Sequence, residues 1–177
     1  YVVPGRYSVT LAQRVGGVLT PLAGPLTFRV TTEPGSPVTV ADHAARGAFQ
    51  QRLHGLRRSL AGTLELATAT GQKLDQIRRA LDQAPSAPRV LHEQVRAFQR
   101  RHAEISRALS GDRAVGSRGD PEPASIAERA NGIASEQGRT LGRPTGTHEE
   151  QLAIATELFA AEFARLRQLV ETEIPAL

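Results

Sequence analysis

FQQRLHGLRRSLAGTLELATATGQKLDQIRRAL, residues Phe49 to Leu81, decides the fold class. Two rows run down it at heptad spacing: Leu53, Leu60, Ala67, Leu74 and Leu81, and Phe49, Leu56, Thr63, Thr70 and Ile77. Such a pattern buries one seam of a long helix against partner helices. Unbroken from about 41 to 83, the helix would be roughly 60 Å long at ~1.5 Å per residue. Thr39 or Asp42 can cap its start. Gly55, Gly62 and Gly71 lie inside it and each weakens it by about 1 kcal/mol relative to Ala, so tertiary packing must hold it. The small residues around Thr63 to Thr70 predict a close helix approach there.

Downstream, Pro85-Ser86-Ala87-Pro88 stops and restarts the chain. Pro88 suits a first helical turn, with Ser86 as its cap. A helix over about 88–110 then buries Leu91, Val95, Phe98, His102, Ile105 and Leu109. The short connection makes the first two helices an antiparallel hairpin. A loop rich in Gly, Asp and Pro spans Gly111 to Pro123. A shorter helix follows over about 124–137, with Ile126, Arg129, Ala130 and Ile133 on one face. The last helix runs over about 147–173, with Thr147 and Glu150 at capping-box spacing. Its stripe is Leu152, Ala155, Phe159, Phe163, Leu166 and Val170, and Ile174-Pro175 ends it.

Upstream, the pattern has a different period. In VPGRYSVTLAQRVGGVLTPLAGPLTFRV (Val3 to Val30), Tyr7, Val9 and Leu11 alternate with Arg6, Ser8 and Thr10. Leu26, Phe28 and Val30 alternate with Thr27 and Arg29. Both are period-two strands with one apolar face. Gly16-Gly17 is a hairpin signal, and Pro21 confines the return strand, Val18 to Leu22, to an edge or a strand end. Gly24-Pro25 predicts a second break, before a separate Leu26–Val30 segment. The expected architecture is therefore mainly α with a small β element. Residues 1–34 read as the closing antiparallel strands of an incomplete immunoglobulin- or fibronectin-like sandwich. Residues 35–177 read as an antiparallel bundle of about four helices, two of them long, on which the hairpin docks. The chain opens on Tyr1 and has no Met, which predicts a C-terminal piece of something larger.

Composition narrows the chemistry. Of 22 basic residues all but Lys73 are Arg, and 18 acidic residues are interspersed among them. A net charge of +4 distributed in this way is a mixed solvated surface, not a nucleic-acid footprint. The absence of Cys excludes disulfides, thiolate metal sites and cysteine nucleophiles. With aromatics at only 4% and no Trp, a small-molecule pocket is not expected. His43, His54, His92 and His148 lack metal-ligand spacing, and His102 reads as a half-polar member of a core stripe. No paired carboxylates, nucleophile elbow or phosphate-cradling glycines occur, so no catalytic residue, cofactor or metal is expected. Arg118-Gly119-Asp120 spells an integrin-binding tripeptide, but Gly and Asp before Pro121 are ordinary turn chemistry. Arg57-Arg58 and Arg78-Arg79 lie three heptads apart, with Arg100-Arg101 on the next helix. They could form an anionic docking stripe, or a solvated face paired to Glu65, Asp75 and Asp82.

LSGDRAVGSRGDPEPASIAERANGI (Leu109 to Ile133), RPTGTHEEQLAIATELF (Arg143 to Phe159) and LRQLVETEI (Leu166 to Ile174), with the PGRYSVTL opening, carry a resemblance. The chain resembles the C-terminal region of large bacterial secreted proteins that bear sortilin-type β-propellers of bacterial neuraminidase (BNR) repeats and are often labelled glycosyl-hydrolase-like. In that family a sandwich and then a helical bundle follow the propeller. The resemblance implies an extracytoplasmic location and transfers no catalytic residue. The heptad seam, the truncated β element and the lack of a catalytic constellation lead to a non-catalytic structural and interaction module, an accessory subunit docked on a larger assembly, a membrane-attached one being among the options. The alternative is the accessory tail of a secreted glycosyl-hydrolase-like propeller enzyme. The expected contact residues are Tyr7, Val9, Leu11, Leu26, Phe28 and Val30 on the open β element, and Arg57, Arg58, Arg78 and Arg79 on the first helix. The expected partner is a protein or an upstream domain that covers the open β edge. Arg129 is expected to pair with Asp112 or Asp120 beneath the loop.

Overall fold

The computed structural model describes residues 2–84, 86–112 and 123–177. Among the described residues it is mainly helical, with one antiparallel hairpin ahead of four helices. Strands β1 (Gly5–Val15) and β2 (Val18–Val30) are joined at Gly16-Gly17. Both glycines have positive φ, 56° and 86°, the backbone of the two-residue turn that matches strand twist. The return and the Leu26–Val30 segment, expected to be separate, form one strand. The Gly24-Pro25 break is absorbed as irregular register, Val9 opposing Leu26, Leu11 opposing Ala23 and Ala12 opposing Pro21. Gly24 is required there: its φ is +99°, and a Cβ would stand 2.6 Å from the Val9 carbonyl oxygen.

Helix α1 (Val40–Asp82) starts at a capping box in which Thr39 and Asp42 bond each other's backbone N–H. Its buried residues are Arg46, Phe49, Leu53, Leu56, Leu60, Thr63, Ala67, Thr70 and Leu74. Both expected rows are thus the seam; Leu81 and Ile77 at its end are half-buried. The buried Thr63 and Thr70 hydroxyls donate to the carbonyls of Ser59 and Leu66, four residues back, so the seam carries them without an unmet polar group.

Helix α2 (Arg89–Ser110) runs antiparallel to α1. The Asp75 carboxylate accepts from Gln99, and the Ala67 carbonyl accepts from His102. Its cap differs from expectation. Pro88 is the N-cap and no side chain caps the end, so Ser86 does not serve. Helix α3 (Ile126–Gly138) begins at a Ser125–Glu128 capping box. Helix α4 (Gly146–Gln168) ends in a π-helical turn, Leu169–Glu173. Its capping box is Thr145 with His148, two residues ahead of the expected Thr147 and Glu150. Thr145 is extended after Pro144, and the helix begins directly behind it.

The four described helices make three columns. α2 lies along the C-terminal half of α1 and α3 along its N-terminal half, where Arg46 meets Gln137. Gly111 and Ser125 close the gap between them, the Ser125 hydroxyl lying 3.7 Å from a Cβ built on Gly111. α4 runs parallel to α1 as the third column, with Glu149 beside Arg52 at one end. At the other end Leu169 and Ile174 pack on Leu74. Three buried layers result. Phe49, Leu53 and Leu56 meet Ala130, Ile133, Leu152 and Ala155. Leu60 and Ala67 meet Ile105, Leu109, Ile126 and Leu166. The third layer is Leu74, Leu169 and Ile174.

Two expected packing relations are corrected. Phe163 lies outside the core and stacks on Phe159 at 5.8 Å, because the α4 stripe continues through Leu166 and Leu169 instead. The hairpin, expected to dock on the bundle, does so only at its base and leaves almost every residue exposed. It touches α1 near its base, where Val3 lies against Gly47. The seam of α1 is already covered by the other three helices, so no apolar stripe of it is left for the strands.

Candidate interaction surface

The hairpin's register sorts its side chains by face. Opposed pairs project to the same side of a sheet, and successive pairs alternate. Tyr7–Phe28, Val9–Leu26 and Gly5–Val30 therefore share one face, and Arg6–Arg29 and Ser8–Thr27 the other. Five of the expected contact residues, Tyr7, Val9, Leu26, Phe28 and Val30, thus belong to one apolar surface, while Leu11 follows beyond the irregular register, opposite Ala23. Tyr7 stacks on Phe28 at 5.9 Å, and its hydroxyl donates to the Val3 carbonyl at 2.5 Å. This anchors the base of the face.

Nothing within the described residues covers that surface. Val9 is 54% exposed, Leu11 60%, Leu26 68% and Phe28 51%, and Val15, Val18, Leu19 and Leu22 toward the tip are similarly open. A two-stranded hairpin is marginal by itself, and its apolar side chains here lie open to solvent. The described side chains of the face are Tyr7, Val9, Leu26, Phe28 and Val30, none of them an acid or a base of the Asp, Glu, His, Lys or Arg type.

The expected arginines of α1 are spread along the helix. Arg57, Arg58, Arg78 and Arg79 are all exposed. The two pairs stand 21 residues apart, roughly 30 Å along a helix, well beyond the ~10 Å screening length at 0.1 M salt. Arg78 pairs with Asp82 at 3.2 Å, and Asp75 takes Gln99 instead of an arginine. Arg101, on α2, pairs with Glu173.

Arg129 also pairs differently from expectation. Its Nε donates to the Ala124 carbonyl at 3.1 Å and a terminal nitrogen to Gln151 at 3.2 Å. Asp112 instead meets Arg107 at 3.3 Å. Arg129 therefore ties α3 to α4, with which α3 pairs along its length. Asp120 and the Arg118-Gly119-Asp120 tripeptide lie outside the described residues.

His102 is half-buried, and its Nε2 donates to the Ala67 carbonyl at 2.7 Å. Gly71 makes the room: a Cβ there would stand 2.9 Å from the ring.

A polar cluster at the head of the bundle was missed by sequence reasoning. Arg46 is buried and donates to the Gln137 carbonyl at 3.1 Å. The Gln137 amide lies 2.9 Å from His148 Nδ1, and His148 Nε2 lies 3.0 Å from Glu136. Nearby, Arg143 meets Asp42 at 2.6 Å. Hydrogen bonds from the Thr39 side chain and backbone, and then from Arg143, hold the Asp42 carboxyl well below the usual aspartate range. The available signal was Arg46 itself, which sits one heptad before Leu53 on an otherwise apolar row.

Among the described residues no group of three or more His, Asp or Glu side chains could hold a metal ion. Among them, too, no helix is long and apolar enough to cross a membrane. A shallow groove of about 720 Å³ between α1 and α4 is lined by Leu56, Leu152 and Phe159 together with Arg52, Glu149 and Glu157. Comparison with known proteins finds no matching family model, no significantly similar curated protein and no significantly similar solved structure.

Proposed function

We propose that this chain is a non-catalytic structural and protein-interaction module. The bundle is a rigid platform, and the hairpin is the arm that engages a larger extracytoplasmic, membrane-attached assembly as an accessory subunit. One observation carries the reading: the apolar face of Tyr7, Val9, Leu26 and Phe28 is built in register and is open at Val9, Leu26 and Phe28. Apolar side chains gain about 25 cal/mol per Å² of surface removed from water, so a neighbour that covers this face stabilises itself and the hairpin together. In this reading the hairpin is the closing part of a sandwich completed by its partner.

The test is a double substitution, Val9→Ser with Phe28→Ser, in the chain as expressed in its native host. The bundle is expected to melt at an unchanged temperature while co-purification with the assembly is lost. Hairpin amides are expected to exchange within seconds in the isolated chain. An isolated monomer whose hairpin amides are strongly protected would overturn the proposal, because the arm would then be complete without a partner.

A second reading rests on the loop segments around Leu109 to Ile133 and Arg143 to Phe159, with their resemblance to propeller-bearing secreted proteins. There the same module is the tail of a glycosyl-hydrolase-like propeller. Upstream coding sequence with Asp-box repeats and a carboxylate cluster would favour this second reading over the first.

A further inference from the structure

The two edges of the hairpin are not equivalent. β2 contains Pro21 and Pro25, with the positive-φ Gly24 between them. Proline has no N–H to offer a neighbouring strand, and an edge that carries it is blunted. β1 has no proline from Gly5 to Val15. The Ala12–Pro21 pairing shows which way one donor points. In an antiparallel pair, opposed residues either exchange both ladder bonds or both turn their N–H groups outward. Pro21 cannot exchange, so Ala12 is in an outward pair and its N–H is offered to the open side of β1.

Charge narrows the occupant. Residues 1–32 contain Arg6, Arg14 and Arg29 and no Asp or Glu. Arg6 and Arg29 are directly opposed, an arrangement that destabilises a bare hairpin. None of the three has a carboxylate within ion-pair distance among the described residues. A second copy of the chain is a poor neighbour. Antiparallel pairing of β1 with itself about Thr10 would set Arg6 of one copy against Arg14 of the other.

We infer that β1 is the docking edge and that it takes an extended, acidic strand of a partner protein. Asp or Glu of that strand alternates with apolar residues, so that carboxylates meet the Arg6–Arg29 face and apolar side chains extend the Tyr7–Val9 face. This rests on the hairpin-docking reading above and adds the edge and the partner's chemistry. Main-chain bonds supply affinity in strand addition, and alternate side chains supply selectivity.

The probes are two synthetic nine-residue peptides, one alternating Val with Glu and one alternating Val with Lys. Each is titrated into the full chain at low and high salt, and the backbone amides are followed by NMR. The Glu peptide is expected to bind saturably, to shift β1 amides more than β2 amides, and to weaken with salt. The Lys peptide is expected to bind at least about tenfold more weakly. Arg6→Glu with Arg29→Glu should invert that preference. Ala12→Pro, which removes an outward donor and spares the hairpin's own ladder, should abolish binding. Equal affinity for both peptides, shifts confined to β2, or no binding of either would overturn the inference. So would tight binding to phosphatidylserine vesicles that outcompetes the Glu peptide. Each of these outcomes leaves the Val9 and Phe28 co-purification test standing, so failure of the strand-addition idea is distinct from failure of the docking reading.

Discussion

The bundle and the hairpin are built from similar apolar side chains and treat them in opposite ways. Phe49 in α1 is fully buried, whereas Phe28 in β2 is half exposed. The difference is one of partners. α1 carries a seam that three other helices cover, and each layer of the core draws on at least two columns. The hairpin puts its apolar pairs on one face, and no described element lies across it. Stability in this chain therefore resides in the helices, and the strands contribute surface.

The same substitution made in both regions tests this most strongly. Phe49→Ala is expected to cost about 3–5 kcal/mol, read as a lower denaturation midpoint. Phe28→Ala is expected to change global stability by less than about 0.5 kcal/mol. A comparable loss at both positions would mean that the hairpin is part of the cooperative core.

Glycines of α1 sharpen the contrast within the bundle itself. Gly71→Ala drives a methyl to 2.9 Å from the His102 ring, and such overpacking costs about 1–3 kcal/mol. Gly62→Ala meets nothing within 4 Å and should stabilise by about 0.5–1 kcal/mol through helix propensity. Opposite signs in thermal melts are the expected result.

Caps come next in size. Ser125→Ala removes the buried hydroxyl that accepts from the Glu128 N–H and should cost about 1 kcal/mol. The smallest effect is in acid. Asp42 is held low by bonds from Thr39, and Glu128 is held low by bonds from the Ser125 backbone and then its hydroxyl. A carboxyl lowered in the folded state contributes stability above its unfolded pKa, about 4, and loses it as pH falls through the folded value. The bundle should therefore weaken below about pH 4. Asp42→Asn should flatten part of that slope in a pH series of melts, and an unchanged slope would remove Asp42 from the account.

Much of this was legible in order along the chain. Heptad spacing gave the seam from Phe49 to Leu74, and Thr39 and Asp42 gave its start, because both rest on interactions within a few residues. Alternation gave the apolar face of Tyr7, Val9, Leu26 and Phe28 in the same way. The last helix was read less well. The Thr147 and Glu150 spacing was as good as that of Thr145 and His148, and only the extended backbone at Thr145 separates them. Phe163 fitted the periodic stripe but lies outside, since the third column turns Leu166 and Leu169 inward instead.

The sequence by itself determined which segments are helices, which pair forms the hairpin, and which faces are apolar, because periodicity and turn residues act locally. Tertiary structure alone decided that α2 and α3 share one column beside α1. It alone set Arg46 against Gln137 across 91 residues, tied Arg129 to Gln151 and left the hairpin uncovered. Those outcomes depend on which surfaces meet across long separations in the chain, and burial is a property of the meeting, not of either segment.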